Sequence, residues 1–412
     1  MTTARVFTVI LTLAGVLAGA PAAGQVPLRQ TEADAYTRYE LLAPGSGKFR
    51  ILYDVTATTA GARYYFNPIR TGSIATDERV VDRASGQPLV FDVVGGSVAR
   101  AGGVRVSDTS QQYIRVTLAR PVPDSGGEAR VRIDKTYEDH KSYFVRGDTI
   151  VFDRPLGIKR NAIVLPVGYE LLSCNYPSQL LQEADRRLTV SFWNITPAEA
   201  PLVLRALPSS AMQRTAAPLP APLVSRLQER AVQNREIVYF LQQPETHAFD
   251  LYHDYTEDRE GVDHYINVVR AGSTVSNPSA RNLDTGERLA FDILKGSAIT
   301  AARLNVSDVT ATTEAVVFRF PPVRPGSSVR LRMSETYTDA ARYRLDGELL
   351  VWDRVFGRPA NAVVLPAGWI LTNSSIPATL TTLPDGRTRL DFVNPRPDEI
   401  AVLLTARRRQ AK

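Results

Sequence analysis

The sequence predicts an all-β protein: two tandem antiparallel β-sandwich domains from an internal duplication, joined by a short helical linker. Three observations predict it. The chain repeats itself at an offset of 200 residues, apolar and polar residues alternate in short runs, and turn residues recur about every ten positions. The 412 residues are 44% hydrophobic and 22% charged, which excludes a largely disordered chain, a coiled coil and a multi-span membrane protein.

The N-terminus reads as a signal peptide over residues 1–24. Arg5 precedes the apolar run Val6 to Leu17, and the small residues Ala22 and Gly24 suit cleavage before Gln25. No cysteine lies there to carry a lipid anchor. No later run is long and apolar enough to span a bilayer. The mature chain is therefore expected outside the cytoplasm, periplasmic or secreted, with no transmembrane segment after cleavage. Basic residues are mostly arginine, with six lysines among 49, a bias expected of a GC-rich bacterial genome. A net charge of +6, spread along the chain, gives no footprint for nucleic acid. The single cysteine, Cys174, excludes a disulfide framework within the monomer.

The first sandwich is read over residues 29–206 and the second over 237–407. Residues 39–204 align with 239–404 without insertion or deletion; Phe91-Asp92 meets Phe291-Asp292, and Val106-Ser107-Asp108 meets Val306-Ser307-Asp308. Strands are expected at Ala129–Asp134 and Ser328–Met333 from their alternation. Asp346-Gly347 marks a hairpin between Arg342–Leu345 and Glu348–Trp352, and Gly147-Asp148 marks its counterpart. Residues 207–236 form a Pro/Ala-rich linker with a short helix at Val224 to Arg235. The stretch Arg29 to Arg38 is read as a similar lead into the first copy, and 408–412 as a basic tail.

The closing part of each copy carries a pattern. Leu165-Pro166-Val167-Gly168-Tyr169 leads to Ser173-Cys174-Asn175-Tyr176-Pro177 and then Asp185-Arg186-Arg187. The second copy has Leu365-Pro366-Ala367-Gly368-Trp369, Asn373-Ser374-Ser375-Ile376-Pro377 and Asp385-Gly386-Arg387. This resembles the end of the N-terminal saddle-like β-sandwich of the gluzincin aminopeptidases. Similar sandwiches occur in tandem, without catalysis, in the ribophorin-type subunit of oligosaccharyltransferase. The resemblance implies a fold. The His-Glu-x-x-His that would hold zinc and supply a base is absent from the chain, so it argues against the activity.

No other pattern supplies chemistry. There is no Gly-x-Ser-x-Gly elbow, phosphate loop or dinucleotide fingerprint, and no catalytic residue or cofactor is assigned. Two clusters remain. Tyr137, Tyr143, Asp153 and Arg154, with Tyr337, Tyr343, Asp353 and Arg354, could form a binding face that stacks and grips a glycan or peptide. The alternative, which duplication favours, is that the tyrosines fill the sandwich and each aspartate fixes a strand end by a local ion pair. His247, His253 and His264 outline a metal site, since His247 and His253 would share one face of a continuous strand. The alternative is solvent-facing histidines on a hairpin, because Gly47, Tyr53 and Tyr64 replace them in the first copy.

The expectation is a non-catalytic structural or interaction protein of the cell envelope, with a protein partner or a glycan. Its rivals are a carbohydrate-binding or carbohydrate-processing protein and a divergent metal-dependent hydrolase.

Overall fold

The computed structural model describes residue 30 and residues 35–124, 126–209 and 227–409. The signal peptide read over 1–24 and the linker segment 210–226 lie outside the described residues. In the first half the strands are β1 (Tyr36–Leu41), β2 (Lys48–Ala57), β3 (Tyr64–Pro68), β4 (Ile74–Asp82) and β5 (Phe91–Gly95), then the short helix α1 (Gly96–Ala101). They continue with β6 (Gln112–Thr117), β7 (Ala129–Glu138), β8 (Tyr143–Arg146), β9 (Thr149–Leu156) and β10 (Arg160–Val164). The half closes with β11 (Tyr169–Cys174), β12 (Gln179–Gln182), β13 (Leu188–Trp193) and β14 (Ala200–Pro208).

A seven-stranded sheet runs β12-β13-β10-β1-β2-β7-β4. Two smaller sheets, β11-β14-β9-β8 and β3-β6-β5, pack against it. Period-2 alternation drives this arrangement: β2 turns Phe49, Ile51, Tyr53 and Val55 inward, and β7 turns Val131, Ile133 and Tyr137 inward. Phe49 of the large sheet meets Phe152 of β9 edge-on at 5.5 Å between ring centroids, and Tyr39 lies 5.6 Å from Phe152. Pairing is antiparallel except for β1 with β10, which run parallel, as do Arg235–Leu241 and Ala360–Val364 in the second half.

The second half repeats these sheets and pairings, with one extra two-residue strand, Arg288–Leu289, where the first half has a single bridge from Val81 to Pro88. The expected hairpins form, with Gly147 and Gly347 at φ of 60° and 59°. The gapless alignment does not hold throughout. Phe91 pairs with Val116 but Phe291 pairs with Phe318, so the halves run two residues out of step there. They return to step where Ala57 faces Ala129 and Glu257 faces Val329. A longer turn before Glu314–Arg319 and a shorter connection after it compensate.

Two linker expectations are corrected. Tyr36–Arg38 begins β1 rather than a helical lead, and Leu207 and Pro208 belong to β14. Residues 227–234 form turns instead of a helix, because both halves claim the segment. Glu229 accepts hydrogen bonds from Tyr36 (3.0 Å) and Ser191 (2.9 Å), and Ala231 is buried with Tyr36 and Ala162. Arg230 reaches the other way, donating to the carbonyls of Gly357 (3.1 Å) and Asn394 (3.4 Å).

The halves also touch directly. Arg130 grips both carboxylate oxygens of Asp284 at 2.6 and 2.7 Å, with both side chains almost wholly buried, and donates to Ser328 Oγ and O. The backbone contact is reciprocal: Glu128 N donates to Leu283 O (2.7 Å), and Ser328 N donates to Ala84 O (3.3 Å). Gly86, at φ +73°, lies so close to the Gly326 carbonyl that a Cβ would collide with it.

Candidate functional site

The polar–aromatic cluster expected in both halves does assemble, but inside the sandwich. Successive residues of a strand point to opposite faces. On β9, Arg154 therefore turns inward and Asp153 outward, and the two do not pair. Arg154 finds Asp139 instead, at 3.0 Å, with Ser142 Oγ at 3.1 Å. Its guanidinium also lies 5.5 Å from the Phe49 ring and 5.6 Å from Tyr137. Asp139 takes further hydrogen bonds from Ser73, Lys141 N and Ser142. Burial pushes the Asp139 carboxyl up, but the Ser142 hydrogen bonds and the Arg154 charge outweigh it and hold it below the ordinary range. In the second half Arg354 lies 3.7 Å from Asp339 and among the rings of Tyr239, Phe249, Tyr337 and Trp352.

The tyrosines are interior as well. Tyr143 and Tyr343 are 0% exposed, Tyr137 2% and Tyr337 4%, so none offers a ring face to a ligand. Tyr143 donates to Leu42 O at 2.9 Å, and Tyr343 donates to Gln242 O. Asp153 is exposed and Asp353 half-buried, on the outer face. The cluster ties strand ends to the core.

The three histidines do not converge. His247 precedes the strand Ala248–Glu257, in the left-handed region at φ 54°, so it does not share a strand face with His253. Its ring bonds Tyr343 O at 3.0 Å. His253 is buried, with Nδ1 3.2 Å from Tyr265 OH, and burial followed by the charges of Arg358, Arg235 and Arg330 holds it well below the ordinary histidine value. His264 pairs with Asp263 at 2.6 Å. Among the described residues no group of three His, Cys, Asp or Glu could hold a metal ion. Cys174 is half-buried, 3.4 Å from Tyr176 O.

Histidine placement reflects exchange between the halves. A Cβ on Gly47 would sit 2.6 Å from the His140 ring; in the second half the histidine stands at 247 and position 340 is alanine. Each half thus carries one ring in this space, from opposite sides.

A more consequential exchange was missed from the sequence. On β7, Lys135 occupies an inward position, 3% exposed, and donates to Asn67 Oδ1. At the equivalent place Glu335, 4% exposed, accepts from Asn267 Nδ2 at 2.5 Å. Burial and the nearby Arg154 push the Lys135 ammonium down to about 7. Burial raises the Glu335 carboxyl to about 7, against the Asn267 hydrogen bond. The alternation that identified the strands already places both residues inward; their asparagine partners, on the third strand of each half, were not foreseen.

No family model and no curated protein sequence matches the chain. Among solved structures, a two-domain M1 zinc metallopeptidase bound to L-tryptophan matches at 13% identity and TM-score 0.29, covering 42% of this chain and 41% of that one. An aminopeptidase N family protein from Idiomarina loihiensis matches at 10% identity and TM-score 0.26, covering 42% and 29%. The collagen adhesin of S. aureus matches at 10% identity and TM-score 0.17, covering 79% and 85%. The chain spans less than half of the metallopeptidases it matches. The resemblance to aminopeptidase N-terminal β-sandwiches recurs here, and TM-scores at this level carry no argument about activity.

Proposed function

We propose that this is a non-catalytic structural or interaction protein of the cell envelope, delivered to the periplasm or secreted through residues 1–24, and that its halves arose by internal duplication. The carrying observation is that the polar–aromatic cluster common to both halves is interior: Tyr143, Tyr343, Arg154 and Arg354 hold strands together. The reading is further supported by the apolar N-terminal run with its small-residue cleavage site, and by the repeated sheet pairings. What remains available to a partner is outer sheet faces and strand edges, which bind other chains through backbone hydrogen bonds.

The test is mild crosslinking in the native cells, affinity purification of the tagged mature chain and mass spectrometry, alongside cell fractionation. A stoichiometric envelope protein in the eluate supports the proposal. A cytoplasmic chain, or robust hydrolase turnover by the purified protein, overturns it.

A further inference from the structure

Where residues 227–236 enter the second half, Arg230, Arg235 and Arg358 line one cavity of about 250 Å³. We infer that this cavity is a binding site for a tetrahedral oxyanion, a phosphate or sulfate group held by the three guanidiniums.

The three arginines have no carboxylate among them. Two other buried arginines are each matched by an acid: Arg130 by Asp284, and Arg154 by Asp139. In the cavity, Arg230 is 8% exposed and its nitrogens donate only to neutral groups, the carbonyls of Asn394 and Gly357 and the Gln233 side chain at 3.3 Å. Arg235 and Arg358 are half-buried, and the Nε of each is buried without a hydrogen-bond partner. Arg235 is steadied by stacking on Tyr255 at 4.7 Å.

The arginines act on one another in one direction, and Tyr265 and Tyr255 offset this only in part at Arg235. Burial, then Arg358 and Arg235, lower the Arg230 guanidinium, and burial with Arg358 lowers Arg235. An arginine does not escape by losing its proton. Like charges held together partly out of water favour a counter-ion. Planar forks of N–H donors match the paired oxygens of phosphate or sulfate. Three cations suit a doubly charged oxyanion better than a single carboxylate. The cavity accommodates that group with a short ester substituent. The arrangement belongs to the second half alone, since position 158 of the first is an isoleucine packed against the core.

The test uses the mature protein prepared in chloride, free of phosphate and sulfate. Its thermal midpoint is followed against sodium phosphate, sodium sulfate and glycerol 2-phosphate, with sodium chloride at matched ionic strength as reference. Binding at tenfold excess over Kd raises the midpoint by about 2–4 °C. Phosphate or sulfate acting alone identifies a site for the free ion; an equal or larger effect of glycerol 2-phosphate identifies one for an ester. Arg358→Gln is expected to abolish the rise while leaving the midpoint in chloride unchanged or higher, because it relieves repulsion. A merely structural arginine would instead lower the midpoint in chloride. No rise above chloride with any of the three probes overturns the proposal, as does a rise that survives in Arg358→Gln. If Arg358→Gln does not fold, Arg358→Lys keeps the charge without the fork, and phosphate affinity by calorimetry must fall about fivefold or more; unchanged affinity overturns the proposal.

Discussion

Lys135 and Glu335 occupy the same inward position in the two halves, and an asparagine at one equivalent place serves each of them. Asn67 turns its carbonyl oxygen to the lysine, and Asn267 turns its amide nitrogen to the glutamate. An amide that can present either end lets opposite charges stand at one place in a repeated fold.

The exchange gives the halves opposite pH dependence. Lys135 titrates near 7 when folded and near its ordinary 10.5 when unfolded, so the unfolded chain binds more protons between those values. Stability of the first half therefore rises from pH 7 to 10.5 and is lost as pH falls through 7. Glu335, raised to about 7 from 4.5, works the other way: its contribution is full below 4.5 and lost as pH rises through 7. Thermal denaturation across pH should show Lys135→Met gaining most over the parent below pH 7. Glu335→Gln should gain most above pH 7. Flat differences would contradict both shifts.

Asp284→Ala removes the carboxylate that Arg130 holds with two hydrogen bonds. A buried arginine left without its partner costs about 3–5 kcal/mol. Denaturant titration should register that loss, and amide exchange should rise first at Glu128 and Ser328, whose backbone bonds cross the same junction.

Gly47→His alone should destabilise the first half, through the left-handed backbone (about 1–2 kcal/mol) and through collision with the His140 ring. Adding His140→Ala removes the collision and reproduces the arrangement of the second half. A double-mutant cycle should return a favourable coupling of about 1 kcal/mol or more. Purely additive effects would show that the two rings do not share one space.

Arg154→Met leaves Asp139 buried with hydrogen bonds but no counter-charge. Stability should fall by about 3 kcal/mol, measured by urea unfolding at pH 7. The loss should shrink as pH falls and Asp139 takes a proton, since its depressed titration is part of the interaction.

The strands were legible because alternation is a local signal, and the hairpins because Gly147 and Gly347 occupy left-handed turn positions. The same alternation rule assigns Arg154 and Asp153 to opposite faces, so the interior partner had to be another acid. Asp139 was not evident because it arrives from the loop after β7. The two-residue slip near Val116 and Phe318 was hidden by matched residues in step on either side, Val106 with Val306 before it and Tyr137 with Tyr337 after it. The linker escaped because helical composition says nothing of Tyr36 and Asn394, which claim its residues from two directions. The arginine cavity escaped because residue 230 and residue 358 meet only through the fold.

Gly86 offers a way to separate the halves. Alanine there would place one methyl group against the Gly326 carbonyl from a backbone that also resists it. Neither hydrophobic core contains that methyl group, so Gly86→Ala acts as a wedge. It would prise this junction apart and leave each sandwich folded, with the turns at 227–234 as the remaining tie between them.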